Sequence, residues 1–508
     1  GGGSGVIFTL EDGATLVFEE DATLTVGASG PATLVADGSV SGITIGSRDK
    51  QVAGSWLGLT FGAESTGSAM TGVTIQYGGA NGEGCLLLSG GELEMTDTVV
   101  QDCGEAGVIV QSGSFTMDGG SVLNAGTYGL ELEGGTLDVQ GVTVSGSGTA
   151  PIRVLPDAMG AIASDCTLTG NTLDAVVVSE GTATVSATWA ALGVPWQAEG
   201  DLLIDATATV TVTDGLTLAF EPLTWLVVEG TLDVQGAATG VTFTSSESSP
   251  AAGDWAGFRV SEGAVATLDG LLVEYGGGSG SALMSEGDLT LTSSEFDSNQ
   301  GCVSATGAFE MTDTVITGCI GAPLKVSAEL LDIDPSNTLT GNVEDHVVVT
   351  GGDISSDLTW PALDVDWLVT GTVEVGSGAT LTVEEGVLAS FEPGVSLRVG
   401  EQSSGALVLD GSSANPIVLT GATLNPAAGD WVGVVLGTSC DATTTSLQWA
   451  EIAYAGSDGT GNLTLRGCDA TLTDLVLADS AAWGLYLDGA SPWQSNITFV
   501  GNAYGASN

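Results

Sequence analysis

The side chains able to do chemistry in this 508-residue chain are few and scattered. Its only histidine, His346, lies in Val343-Glu344-Asp345-His346-Val347-Val348-Val349, and an imidazole among acids has a suitable ordinary pKa for a general base. A duplicated stretch weakens that reading. At an offset of 171 the matching segment is Thr172-Leu173-Asp174-Ala175-Val176-Val177-Val178, so Ala175 stands where His346 does. The cations, Arg48, Arg153, Arg259, Arg398, Arg466, Lys50 and Lys325, are dispersed singly. Carboxylates are plentiful and suit Ca²⁺, yet there is no EF-hand loop or GGxGxD run. Asp458, in Ser457-Asp458-Gly459-Thr460-Gly461-Asn462, is the one local candidate for a metal ligand. No other cofactor is implied.

Seven Cys show no metal-type CxxC spacing, so zinc is not expected. Cys85 and Cys103 lie 18 apart and Cys302 and Cys319 lie 17 apart. Both second members follow near-identical segments, Met95-Thr96-Asp97-Thr98-Val99-Val100 and Met311-Thr312-Asp313-Thr314-Val315-Ile316. Equivalent positions carrying paired Cys read as equivalent disulfides, with Cys440 and Cys468 as a third pair and Cys166 as a small buried hydrophobe. The alternative is six reduced core cysteines. Disulfides imply an oxidising compartment.

Against 63 Asp and Glu stand 7 Lys and Arg, a formal charge of −56. Binding to nucleic acid or an anionic membrane depends on cations that release counterions, so both partners are excluded as expectations. The acidity otherwise describes a solvated surface. No span of 18 apolar residues reads as a transmembrane segment and no signal peptide is visible. Gly1-Gly2-Gly3-Ser4-Gly5 reads as a flexible tether.

Three copies of one pattern organise the rest. Phe18, Trp56 and Tyr77 recur as Phe220, Trp255 and Tyr275, then as Phe391, Trp431 and Tyr454. The Phe-to-Trp gaps are 38, 35 and 40 residues and the Trp-to-Tyr gaps 21, 20 and 23. Segments such as Leu130-Glu131-Leu132-Glu133 and Thr136-Leu137-Asp138-Val139 place apolar residues at period two between glycines. Strands this short and frequent predict an all-β solenoid of about twenty coils, each taking about twenty residues. Asn124, Asn171, Asn299, Asn342 and Asn502 sit at comparable turns and suit it. Trp189 with Trp196 and Trp360 with Trp367 mark duplicated junctions. Three modules are expected, over 1–187, 188–358 and 359–508, in a continuous or near-continuous rod. The repeated Trp are expected to pack coil corners, the alternative being sugar-stacking platforms.

With Gly378-Ala379-Thr380-Leu381-Thr382-Val383, Phe391-Glu392-Pro393-Gly394 and Gly429-Asp430-Trp431-Val432-Gly433, the chain resembles bacterial secreted right-handed parallel β-helix proteins of the pectin-lyase-like superfold. The resemblance spans nearly the whole chain and implies the fold, while members of the superfold include lyases, hydrolases, adhesins and scaffolds. Lyases of this kind use an Arg or Lys base with carboxylates holding Ca²⁺, and hydrolases pair Asp carboxylates. This chain shows no adjacent Asp pair and no NTD-type, RIK-type or DHxD-type run.

Neither end reads as a cap. Strand-like sequence begins at Val6-Ile7-Phe8-Thr9-Leu10, and the third module stops at Asn502-Ala503-Tyr504-Gly505-Ala506-Ser507-Asn508. The expected function is a non-enzymatic extracellular or cell-surface rod for display, adhesion or head-to-tail assembly, with its own copies or a surface glycan as partner. The alternative is a carbohydrate-active or carbohydrate-binding β-helix acting on a neutral or cationic glycan. Asn462-Leu463-Thr464 and Asn496-Ile497-Thr498 fit the glycosylation sequon.

Overall fold

The computed structural model describes residues 5–506, so most of the expected tether and the last two residues lie outside the described residues. What it describes is a right-handed parallel β-helix of about 22 coils. Every named strand pair is parallel, and the only helical elements among the described residues are two short 3₁₀ turns, Pro156–Ala161 and Ala328–Leu330. The chain divides into two compact units. One runs to Pro250 and includes Ala264–Ala266 and Gly270–Leu272; the other holds Ala251–Gly263, Thr267–Asp269 and the chain from Val273 onward.

In the first unit a six-stranded ladder stacks Thr15–Phe18, Ile43–Ser47, Val73–Gln76, Val99–Cys103, Ser121–Ala125 and Thr143–Ser145. Their register lines up Leu16, Ile45, Ile75, Val100, Val122 and Val144. From Ile45 onward these side chains are completely buried. The period-two pattern causes this, since a slip of one residue would send the whole column to solvent. In the second unit Val373, Leu397, Val434, Leu463 and Leu485 form a similar buried column. The core is thus a dry stack of aliphatic rungs in both units.

Partners in register lie 20 residues apart at Leu283 and Val303, but 37 apart at Ser396 and Gly433. The longer coils are those that carry the repeated Trp-x-Gly, where the chain makes an extra loop before re-entering the ladder. Gly58, Gly257 and Gly433 have φ of +121°, +119° and +120°. A Cβ on Gly433 would stand 2.5 Å from the carbonyl oxygen of Gly461 in the neighbouring coil. Backbone and neighbour both demand glycine here. Gly433→Ala is therefore expected to lower unfolding free energy by about 3 kcal/mol, read from the urea midpoint.

Candidate functional site

The repeated aromatic residues build the coil corners. Trp56, Trp255 and Trp431 are 0% exposed. Each indole Nε1 donates to the carbonyl just before the repeated Tyr: Gln76 at 2.9 Å, Glu274 at 2.8 Å and Ala453 at 2.8 Å. Phe18 stacks on Trp56 with centroids 4.6 Å apart, and Phe391 on Trp431 at 4.2 Å. Phe220 meets Phe243 edge-on at 6.1 Å. Tyr77, Tyr275 and Tyr454 all have left-handed backbone, with φ of +67°, +61° and +62°. The indole bond thus fixes the last carbonyl before a strained turn.

The junction Trp are buried as well. Trp196 donates to Ala190 and Trp367 to Pro361, whereas the Nε1 groups of Trp189 and Trp360 are buried without a partner among the described residues. Those two residues are related by the same offset of 171, so the unpaired donor is a duplicated feature.

Disulfides join Cys85 to Cys103, Cys302 to Cys319 and Cys440 to Cys468. Cys166 is free and buried, and burial pushes its thiol up. Asn171, Asn299, Asn342 and Asn502 each accept from a backbone N–H and donate to a carbonyl of the neighbouring coil. Asn124 instead donates to Asp102. Asn337 makes the same pair of bonds as the first four and was not singled out from sequence, because no repeat offset marks it, while Asn462 accepts from the Ala455 N–H and donates to the Ala478 carbonyl. Asn462 is completely buried with both amide atoms engaged, so its sequon is closed to glycosylation in the folded chain.

Some of the carboxylates hold successive turns together. Asp214 accepts from the N–H groups of Ala238, Thr239 and Gly240 in the next coil. Asp12 does so from Val40 and Ser41, Asp201 from Trp225, and Asp357 from Thr380. Asp458 accepts from the N–H and hydroxyl of Thr460 at 2.9 and 2.6 Å, closing its own turn. Among the described residues no group of three or more His, Cys, Asp or Glu stands together as metal ligands do.

Backbone donors hold Asp12 and Asp214 below the usual carboxylate value of 3.8. A depressed pKa contributes stability that is present above that value and lost as pH falls through the lower folded one. Asp214→Ala is therefore expected to unfold more readily than the wild type at neutral pH. The difference should close as pH drops below about 3.8, which thermal melts across that range would check.

Six of the seven cations are also engaged. Arg48 pairs with Glu19 at 2.8 Å, Lys50 with Glu20 at 2.9 Å and Arg259 with Glu286 at 2.9 Å. Arg153 bridges Glu131 and Glu199 at 3.3 and 3.0 Å and lies over the Tyr128 ring. Burial pushes the Glu131 carboxyl up, opposed by Arg153. Glu401 takes Arg466 at 2.8 Å and Arg398 at 3.7 Å. Lys325, mid-strand in Leu324–Val326, is exposed and makes no ion pair among the described residues. His346 is in register with Asp366 on the next strand, and its Nε2 is 3.9 Å from Glu344. Burial raises the Asp366 carboxyl against the opposing influence of His346.

One acidic groove escaped sequence reading. Glu384 and Asp410 are exposed and in register on adjacent strands, beside Thr359, Thr382, Glu385 and Ser412. They are 26 residues apart in sequence, so only the ladder brings them together.

Residues 352–464 match the family model described as a pectate-lyase-like beta helix domain. No curated protein and no solved structure matches the chain. Where that match falls, the strands Gly352–Ile354, Val373–Val375, Ser396–Val399, Gly433–Leu436 and Gly461–Arg466 form consecutive rungs of one ladder. The protein is a right-handed parallel β-helix repeat protein, and residues 352–464 of it are similar to the pectate-lyase-like beta helix domain.

Proposed function

We propose that this protein is a non-enzymatic, extracellular or cell-surface structural protein used for display, adhesion or head-to-tail assembly. The observation that carries the reading is the engagement of its charged groups in inter-coil bonds. A lyase needs an Arg or Lys free to take a proton from substrate, and here six of the seven cations, Arg48, Lys50, Arg153, Arg259, Arg398 and Arg466, each sit against a glutamate, while Lys325 stands apart from them in the strand Leu324–Val326. A charge of −56 repels uronate chains as well. Three disulfides fit an oxidising compartment, and no helix among the described residues is long and apolar enough to cross a membrane.

Assembly is the form of this role in which one copy's coil continues the ladder of another, an open heterologous contact. Electron microscopy of the purified protein at high concentration tests it. Fibres are expected; discrete particles would remove assembly and leave display or adhesion.

Glu384 and Asp410 support a second reading, glycoside hydrolysis. Adjacent parallel strands lie about 4.8 Å apart, close to the carboxylate separation of roughly 5 Å used by retaining enzymes. Product analysis distinguishes the two readings.

A further inference from the structure

One left-handed position is filled by glycine in two copies of the repeat and by tryptophan in the third. Gly72 stands five residues before Tyr77 with φ +60°, Gly270 five before Tyr275 with φ +66°, and Trp449 five before Tyr454 with φ +49°. A bulky residue in this backbone region is a genuine outlier, and such strain collects at binding sites. Trp431 is 0% exposed, whereas Trp449 is half-buried and lines an open groove of about 250 Å³.

The other walls of that groove include Ser413, Pro416, Glu451, Asp474 and Asn496. Asp474 and Asn496 occupy the corresponding left-handed position in the next two coils, with φ of +53° and +55°. The Asn496 amide donates to the Asp474 carboxylate, which fixes both side chains. An aromatic residue thus shares the groove wall with carboxylates, an amide and a hydroxyl. Such a surface suits a pyranose ring, whose C–H face covers the indole while its hydroxyls donate to the carboxylates. Glu451, Asp474 and the net charge of −56 disfavour sugars that carry acid groups.

We propose that the Trp449 groove is a binding subsite for a non-acidic pyranose sugar. It is independent of the structural role above, since a surface subsite serves a scaffold, an adhesin or an enzyme. Both neutral glucan chains and amino-sugar chains offer this chemistry.

Calorimetric titration of the full chain with neutral β-glucan, chitosan and oligogalacturonate oligosaccharides tests the proposal. Binding to at least one of the first two is expected, and none to the third. Binding to glucan alone or to chitosan alone identifies the source. Trp449→Gly is expected to weaken that binding by roughly tenfold or more without lowering the thermal midpoint, because glycine serves this backbone position in the sister copies. Trp449→Phe, which keeps a ring, should retain most of it, and Asp474→Ala should weaken it. Absence of binding to both non-acidic sugars overturns the proposal. So does a Trp449→Gly variant that binds like the wild type, or one that melts earlier and so shows the indole to be packing.

Discussion

Reducing the disulfides, or replacing either member of a pair, is expected to cost about 3 kcal/mol per bridge, seen as an earlier urea transition. Cys85–Cys103, Cys302–Cys319 and Cys440–Cys468 close loops of 18, 17 and 28 residues. Loops of that size lose chain entropy worth about 3 kcal/mol in the unfolded state. In a solenoid each coil touches only its neighbours, so the loss is expected as fraying of the coils around the missing bridge. Hydrogen exchange would place it near Leu86–Thr96 for the first pair and near Gly461–Arg466 for the third. Thiol titration gives a companion result. The unreduced, denatured chain should show the single thiol of Cys166, and the reduced chain all seven.

Trp431→Ala is expected to be the most damaging single core substitution in the third copy, at about 4 kcal/mol or more in chemical unfolding. The indole is fully buried, stacked on Phe391, and bonded to the carbonyl of Ala453. Truncation leaves a cavity and an unpaired carbonyl, and the second effect alone costs about 1–3 kcal/mol. That carbonyl precedes Tyr454, whose left-handed backbone then loses the bond that holds it in place. Trp431→Phe keeps part of the volume and loses the bond, so its cost should fall between wild type and alanine.

The coil ladder is legible in the sequence because it is written in local terms. Alternation in Leu130-Glu131-Leu132 shows which residues point inward, and the Phe, Trp and Tyr spacing shows where one corner returns. Left-handed turns are less legible. Glycine and asparagine mark most of them, whereas Tyr77, Tyr275, Tyr454 and Trp449 are residues for which positive φ is a poor prior. Trp449 becomes conspicuous only when it is laid beside Gly72 and Gly270.

Bonds between coils are illegible for a different reason. Asp214 and Thr239 are 25 residues apart, and the register joining them depends on loop lengths that vary from coil to coil. The same holds for Glu384 with Asp410 and for Arg466 with Glu401, the latter 65 residues apart. Scattered acids therefore read as a solvated surface, although many of them are brackets that tie one turn to the next.

Turnover on polysaccharides tests the central claim most directly, that the charged groups of this helix are structural. Purified protein would be incubated with neutral, amino-sugar and uronate polymers while new reducing ends and unsaturated products are followed. The account predicts no release above a blank for any of them. Release that Glu384→Gln or Asp410→Asn abolishes in a normally folded protein would contradict it.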